Sequence, residues 1–197
     1  MKQLLNYMDV AELRQRLEHE PDALPLPERL LKGTLSPDFS LVEQALDWQD
    51  AAPHHHLLCP QDPFYPSLLQ QLNDPPPVLF VKGDLNALLL PSIAMVGSRA
   101  ASQSGLAVSY QLAQELAASG IGVTSGMAAG IDGAAHQGVL DANGVTLAVL
   151  GTGVEVVYPK RHRPIYDKIQ QSGCVITEFW PQVKPYAGNF PKRNRII

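Results

Sequence analysis

Three glycine-rich turns and one basic, aromatic segment are the parts of this sequence whose residue types and spacing could do chemistry. In the first, Gly97-Ser98-Arg99 precedes a helix start at residues 102–105. Glycine lets backbone approach a ligand closely, Ser98 offers a hydroxyl, a helix start presents unpaired N–H groups, and the Arg99 guanidinium can fork onto phosphate oxygens. The second turn, Ser125-Gly126-Met127-Ala128-Ala129-Gly130-Ile131-Asp132, carries almost no side-chain bulk. A phosphate or sugar could therefore reach the amides of the helix that follows. Its glycines depart from the G-x-G-x-x-G spacing, and no acidic residue ends a second strand to hold a ribose, which counts against a nicotinamide-dependent oxidoreductase. Asp132 and His136 lie four residues apart and suit a helix cap and an intrahelical pair, with direct ligand contact or an acid–base dyad as the other reading.

The third turn, Leu150-Gly151-Thr152-Gly153-Val154-Glu155, runs into the cationic stretch Tyr158-Pro159-Lys160-Arg161-His162-Arg163. The last segment, Gly188-Asn189-Phe190-Pro191-Lys192-Arg193-Asn194-Arg195, interleaves an aromatic ring with cations and amides. Stacking a base on a ring while neutralising the backbone is how single strands are held without reading their sequence. The charge follows the same division. Residues 158–197 hold eight Lys or Arg against two acids, a net of +6, while the first 157 residues carry a net of −10 and the whole 197-residue chain −4. A solvated basic face is the plainer reading of such a cluster taken by itself.

The elements that must position these turns are legible in the apolar pattern. Short apolar runs at 78–81, 92–96, 121–124, 145–150 and 174–177 read as strands, and helical spacing occupies 106–116, 131–140 and 164–171. Continuous apolar strands alternating with helices specify a doubly wound, mostly parallel α/β sheet with helices on both faces. In such sheets ligands bind beyond the carboxyl ends of the strands, where all four segments fall. Residues 1 to about 60 read as a small all-helical domain, with helical patterns at 10–17 and 41–48. Residues 61–90 read as a proline-rich connector with a first short strand, and 91–197 as the main domain. The stretch from Pro53 to Pro77 looks too broken for regular structure apart from 67–72, and His54, His55 and His56 read as loop, since adjacent side chains do not converge on one ion.

Composition bounds the rest. With 45% hydrophobic and 17% charged residues the chain has the make-up of a globular protein, no apolar run is long enough for a bilayer, and the N-terminus lacks a secretory pattern. A cytoplasmic location is expected. Cys59 and Cys174 lie in apolar contexts without metal-ligand spacing and read as buried thiols, so no metal or cofactor is expected. Glu178 reads as a solvated turn residue.

Taken together, Gly97-Ser98-Arg99, the Ser125–Asp132 turn, Leu150-Gly151-Thr152-Gly153 with Tyr158-Pro159, and Asn189-Phe190-Pro191-Lys192-Arg193-Asn194-Arg195-Ile196-Ile197 resemble, over residues 62–197, the DNA-processing protein A (DprA/Smf) family. The resemblance implies an extended Rossmann-like domain that binds single-stranded DNA, protects it during natural transformation and loads the RecA recombinase, without catalysis. It also implies a homodimer in the full-length protein and an N-terminal domain of sterile-alpha-motif type. By position, it implies that Arg99 binds phosphate, that Gly97, Ser98, Ser125 and Gly126 line the pocket, that Lys160, Arg193 and Arg195 neutralise backbone, and that Phe190 and Asn194 meet a base or sugar. Family members continue past the position of Ile197, so the domain is expected to be a truncated one, with much of the dimer and RecA surface in the remaining part. The first 50 residues lack the Gly-hydrophobic-Gly hairpin that would by itself bind a DNA backbone. The alternative is a nucleotide-binding enzyme of the lysine-decarboxylase-like phosphoribohydrolase type, for which Glu155 would be the candidate acid.

Overall fold

The structure, a computed structural model, describes His19 and residues 39–197. The chain divides into two compact units, Met1–Gln44 and Ala45–Ile197. The helical pattern at 10–17 and the sterile-alpha-motif reading lie outside the described residues. Helix α1, Phe39–Asp50, buries Ala45 and Trp48. Six strands follow: β1 (His55–Leu58), β2 (Leu79–Gly83), β3 (Ser92–Ala94), β4 (Gly122–Ser125), β5 (Thr146–Val149) and β6 (Cys174–Thr177). Between and after them come α2 (Ser67–Gln70), α3 (Gln103–Ala118), α4 (Ile131–Asp141), α5 (Arg163–Ser172) and α6 (Asn189–Arg193).

The strands form one sheet in the order β1-β2-β6-β5-β4-β3. From β3 to β6 the pairing is parallel, and β2 and then β1 add antiparallel at the other edge. Every residue of β4, β5 and β6 is buried, as helices on both faces of a parallel sheet require. The two-residue period sorts each central strand between two cores. Leu79 and Val81, Leu147 and Val149, and Cys174 and Ile176 face one layer. Phe80, Ala148 and Val175 face the other, against Met127, Tyr166 and Ile169. A third cluster, Met95, Ala113, Val123, Ala135 and Val139, joins α3 and α4 to the β3 side of the sheet. The two helices cross closely because Gly138 has no side chain: a Cβ there would stand 2.3 Å from the Tyr110 carbonyl oxygen. Ser102 caps α3 by accepting the Gly105 N–H at 3.1 Å. Among the described residues no helix is long and apolar enough to cross a membrane.

Three expectations change. The proline-dense stretch contains strand β1, in register with β2 from His55 opposite Lys82 to Leu58 opposite Leu79. His55 and His56 therefore belong to a strand rather than a loop, and the His55 ring stacks on Trp48 at 4.4 Å. Of the two cysteines, Cys174 is buried but Cys59 is exposed, because it follows the last β1 residue at a surface turn.

Asp132 and His136 do not pair with each other; each turns to a separate partner. His136 is fully buried. Its Nδ1 lies 2.8 Å from Thr146 Oγ1, whose own proton goes to the Val123 carbonyl at 2.7 Å, so Nδ1 is the donor and Nε2 is left bare and without a partner. Burial pulls the His136 pKa from 6.5 down to about 3, with His162 and Arg193 adding to the effect. The folded state therefore binds fewer protons than the unfolded one between these values. Its contribution to stability is complete above pH 6.5 and is lost as pH falls toward 3, at about 1.4 kcal/mol per pH unit. Urea unfolding across that range should show this slope, and His136→Gln should reduce it; an unchanged slope would contradict the assignment.

Candidate functional site

The carboxyl ends of β3, β4, β5 and β6 lie side by side in the sheet, and the turns that leave them build the site. After β3, Gly97 lets the chain lie on the first turn of α4, since a Cβ there would stand 2.6 Å from Ile131 Cγ1. The Ser98 carbonyl accepts the Ile131 N–H at 3.2 Å. Opposite it, Gly130 has φ +82°, and a Cβ would stand 2.1 Å from that same Ser98 oxygen, so only glycine fits. The Ser98 hydroxyl accepts the Ala100 N–H at 3.1 Å. Arg99, between them, is exposed, and its guanidinium carbon lies 5.3 Å from the centre of the Phe190 ring, within cation–π range.

After β4, Ser125 is buried and donates to the Met95 carbonyl at 2.5 Å, tying the ends of β3 and β4 together. The next amides do not point at an open cradle. Gly126 N–H and Ala128 N–H donate to Asp132 Oδ2 at 3.1 and 3.3 Å, and the Asp132 side chain is buried. Gly126 lies flat on the Arg193 guanidinium, with 2.6 Å between an added Cβ and Nη2.

After β5, Gly151 provides a seat for Phe190: a Cβ there would stand 2.7 Å from ring carbon Cδ1. Tyr158 flanks that ring at 5.6 Å. The basic turn Lys160–His162 is pinned by His162, whose Nδ1 lies 3.0 Å from the Met127 carbonyl. Burial holds the His162 pKa below its ordinary value, with the Met127 contact opposing. Lys160 and Arg161 on the same turn are exposed.

The final basic segment is less solvated than its sequence suggests. Arg193 is 3% exposed. Its Nη1 donates to the Gly126 carbonyl at 2.7 Å and to the Val149 carbonyl, and its Nε to Asn194 Oδ1 at 3.1 Å. Burial lowers its pKa, the Arg99 charge adds to this and the Asp132 carboxylate opposes it. The guanidinium thus fastens the ends of β4 and β5 to α6. Arg195 makes a two-pronged contact with Glu178 at 2.6 and 2.8 Å, and the hydrogen bond to Glu178 raises its pKa. Lys192 reaches the same carboxylate at 3.1 Å, and the Glu178 side chain is only 5% exposed. Glu178 is therefore an anchor for α6 rather than a solvated turn residue.

Three adjoining cavities open on this surface. One of about 70 Å³ is bordered by Arg99, Gly126, Gly151, Tyr158 and Phe190. A second, about 440 Å³, is lined by Arg99, Tyr158, Pro185, Ala187, Phe190 and Asn194. A third, about 360 Å³, meets Gly97, Arg99, Asp132, Arg193 and Asn194. Gly97, Arg99, Gly126, Phe190, Arg193 and Asn194 are thus brought together. Ser98 sits beside them, exposed, with its hydroxyl on the Ala100 N–H, while Ser125 bonds inward; Lys160 follows the wall residue Pro159, and Arg195 is turned to Glu178. Tyr158 is a wall residue that the sequence reading left out; its signal was an aromatic directly before a cationic turn. Glu155 borders none of the three cavities. Its carboxylate accepts from Trp48 Nε1 at 2.8 Å and Lys82 Nζ at 3.1 Å, so the acid named for the phosphoribohydrolase reading is held away from these cavities.

Fold and site define a Rossmann-like protein whose strand-end cleft combines cations with aromatic rings. The chain belongs to the family of DNA recombination-mediator protein A, whose sequence model matches residues 56–197. It is similar to protein Smf of Escherichia coli K12, at 44% identity over 157 residues, which are 79% of this chain and 42% of that protein. It is also similar to DNA processing protein DprA of Streptococcus pneumoniae, at 42% identity over 69% of this chain and 48% of the relative. The chain therefore spans less than half the length of either relative. The X-ray structure of the S. pneumoniae protein superposes with a TM-score of 0.78 at 33% identity, covering 93% of this chain and 62% of that one. DNA processing protein A from Helicobacter pylori, described for its single-stranded DNA binding mode, superposes with a TM-score of 0.65 at 28% identity, over 73% of this chain and 65% of that one. These names describe the processing of DNA rather than a catalysed reaction.

Proposed function

We propose that this chain binds single-stranded DNA across the strand-end cleft, with Arg99 and Lys160 neutralising phosphates and a base stacking on Phe190 beside Tyr158. The observation that carries the reading is the position of Arg99, which borders all three cavities while its guanidinium lies against the Phe190 ring. Backbone charge and the flat face of a base are the two features every single strand offers, and here one cation and one ring meet them together. Gly97 and Gly126 keep the walls low, and Asn194 meets a sugar or base at the rim. Ser98, Ser125, Arg193 and Arg195 act by holding the turns in place. The single-stranded DNA binding described for the H. pylori relative supports the same reading.

Removing one phosphate contact lowers the slope of log affinity against log salt by about 0.7 for a single strand. Anisotropy titrations of labelled oligo-dT at several salt concentrations should show that loss for Arg99→Ala and for Lys160→Ala, with unchanged circular dichroism. Native affinity and slope in both variants would overturn the assignment.

Family membership supports a wider proposal. The protein protects DNA and helps load RecA recombinase in natural transformation and recombination, acts in the cytoplasm, and forms a homodimer in its full length. A helical sterile-alpha-motif-type domain precedes the DNA-binding domain, which takes in strands β1 and β2 and runs through the compact unit Ala45–Ile197. RecA assembly on strands precoated with a single-strand-binding protein, followed with and without the protein, checks the loading step; equal rates would remove it.

A further inference from the structure

Tyr186 is 69% exposed, and no packing requirement explains an aromatic ring there. The segment that carries it is held at several points. The Val183 carbonyl accepts the Gly153 N–H at 2.9 Å, the Pro181 carbonyl accepts the Glu155 N–H at 3.0 Å, and the Tyr186 carbonyl accepts the Asn189 N–H at 3.0 Å. The segment is thus tied to the turn after β5 at one end and to the start of α6 at the other. The Tyr186 ring is backed by Gly188, where a Cβ would stand 2.8 Å from ring carbon Cε1. The ring lies close to Gly188 and most of the residue is open to solvent. Its sequence neighbours Pro185 and Ala187 line the 440 Å³ cavity together with Arg99, Tyr158 and Phe190.

Tyr186 precedes Phe190 by four residues through a hydrogen-bonded turn. That turn, closed by the Asn189 N–H on the Tyr186 carbonyl, leads straight into α6 and its Phe190, so one short basic segment carries both aromatic residues. The local charge suits the same ligand. From Phe179 to Ile197 the sequence has Lys184, Lys192, Arg193 and Arg195 and no acid. Arg193 is committed to backbone carbonyls, and Lys192 and Arg195 to Glu178, whereas Lys184 is exposed.

We propose that Tyr186 is a second base-stacking platform, receiving the nucleotide next to the one on Phe190, with Lys184 neutralising the phosphate beside it. This inference rests on the single-strand reading above. It extends the binding track across the 440 Å³ cavity and gives the cleft a minimum strand length for full affinity.

The test is a ladder of oligo-dT lengths titrated against native protein and the Tyr186→Ala, Tyr186→Phe, Phe190→Ala and Arg99→Ala variants. Stacking on an aromatic is worth about 1–3 kcal/mol per base, so Tyr186→Ala should weaken strands long enough to reach both platforms by at least about fivefold. It should leave shorter strands unchanged, and Tyr186→Phe should bind as native. Phe190→Ala and Arg99→Ala should weaken every length. Strands carrying 5-iododeoxyuridine should photocrosslink to the peptide containing Tyr186. If Tyr186→Ala binds every length as native protein does while Arg99→Ala weakens all of them, the second platform is disproved and the cleft stands. Equal weakening of all lengths by Tyr186→Ala would also overturn it, by making Tyr186 part of the first pocket. If neither Arg99→Ala nor Phe190→Ala changes binding at any length, the underlying single-strand reading fails instead.

Discussion

Phe190→Ala should lower oligo-dT affinity by about 1–3 kcal/mol, or roughly 5- to 150-fold, with little change in stability. The expectation follows from where the ring sits. It rests on Gly151, is flanked by Tyr158, and has the Arg99 guanidinium 5.3 Å from its centre. Removing it deletes the stacking surface and leaves Arg99 without the ring it lies against. Phe190→Trp should retain most of the affinity, because any π face serves. Anisotropy titrations at a fixed salt concentration, paired with urea unfolding, separate the two effects. If the alanine variant bound within about twofold of native protein, a base would not be stacking at this ring.

Replacing Arg193 should act on folding first. At 3% exposure its Nη1 serves two carbonyls, on Gly126 and Val149, that come from different strands. Arg193→Met leaves those acceptors without their donor and removes the positive charge near the buried Asp132. Hydrogen bonds to charged groups are worth about 1.5–3 kcal/mol, and an uncompensated buried charge adds to that, so a loss of about 3 kcal/mol is expected. Arg193→Lys should recover only part of it, since one ammonium cannot reproduce the planar fork. The folded fraction of either variant should keep the native salt slope in DNA binding. A variant as stable as native protein but short of one phosphate's share of slope would show that this guanidinium meets DNA directly.

The comparison of these two residues explains what could be read from the sequence. Arg99 was legible as a candidate site residue because it follows a glycine-led turn after a strand, where an α/β sheet places its ligands, and Phe190 because it is an aromatic set among cations and amides. The parallel strands were legible for a related reason, since burial on both faces makes them continuously apolar. Arg193 and Arg195 were read as cations that neutralise a DNA backbone, and nothing local marks a carbonyl 67 residues away, or Glu178 17 residues away, as a partner within the protein. Strand β1 was hidden by flanking prolines that break helices but not a short antiparallel edge, and its register comes from β2 alone. Glu155 looked like a candidate acid beside a glycine turn until Trp48 and Lys82, distant in sequence, were seen to hold it.

The carboxylate of Asp132 has one more consequence. In nucleotide-binding turns of this architecture the amides before the helix grip a pyrophosphate, but here Gly126 and Ala128 already grip a side chain of the protein itself. The turn is filled from within by that side chain. The place a pyrophosphate takes in such turns is filled by the protein's own carboxylate, and a strand lying along the rim as proposed above makes no call on it.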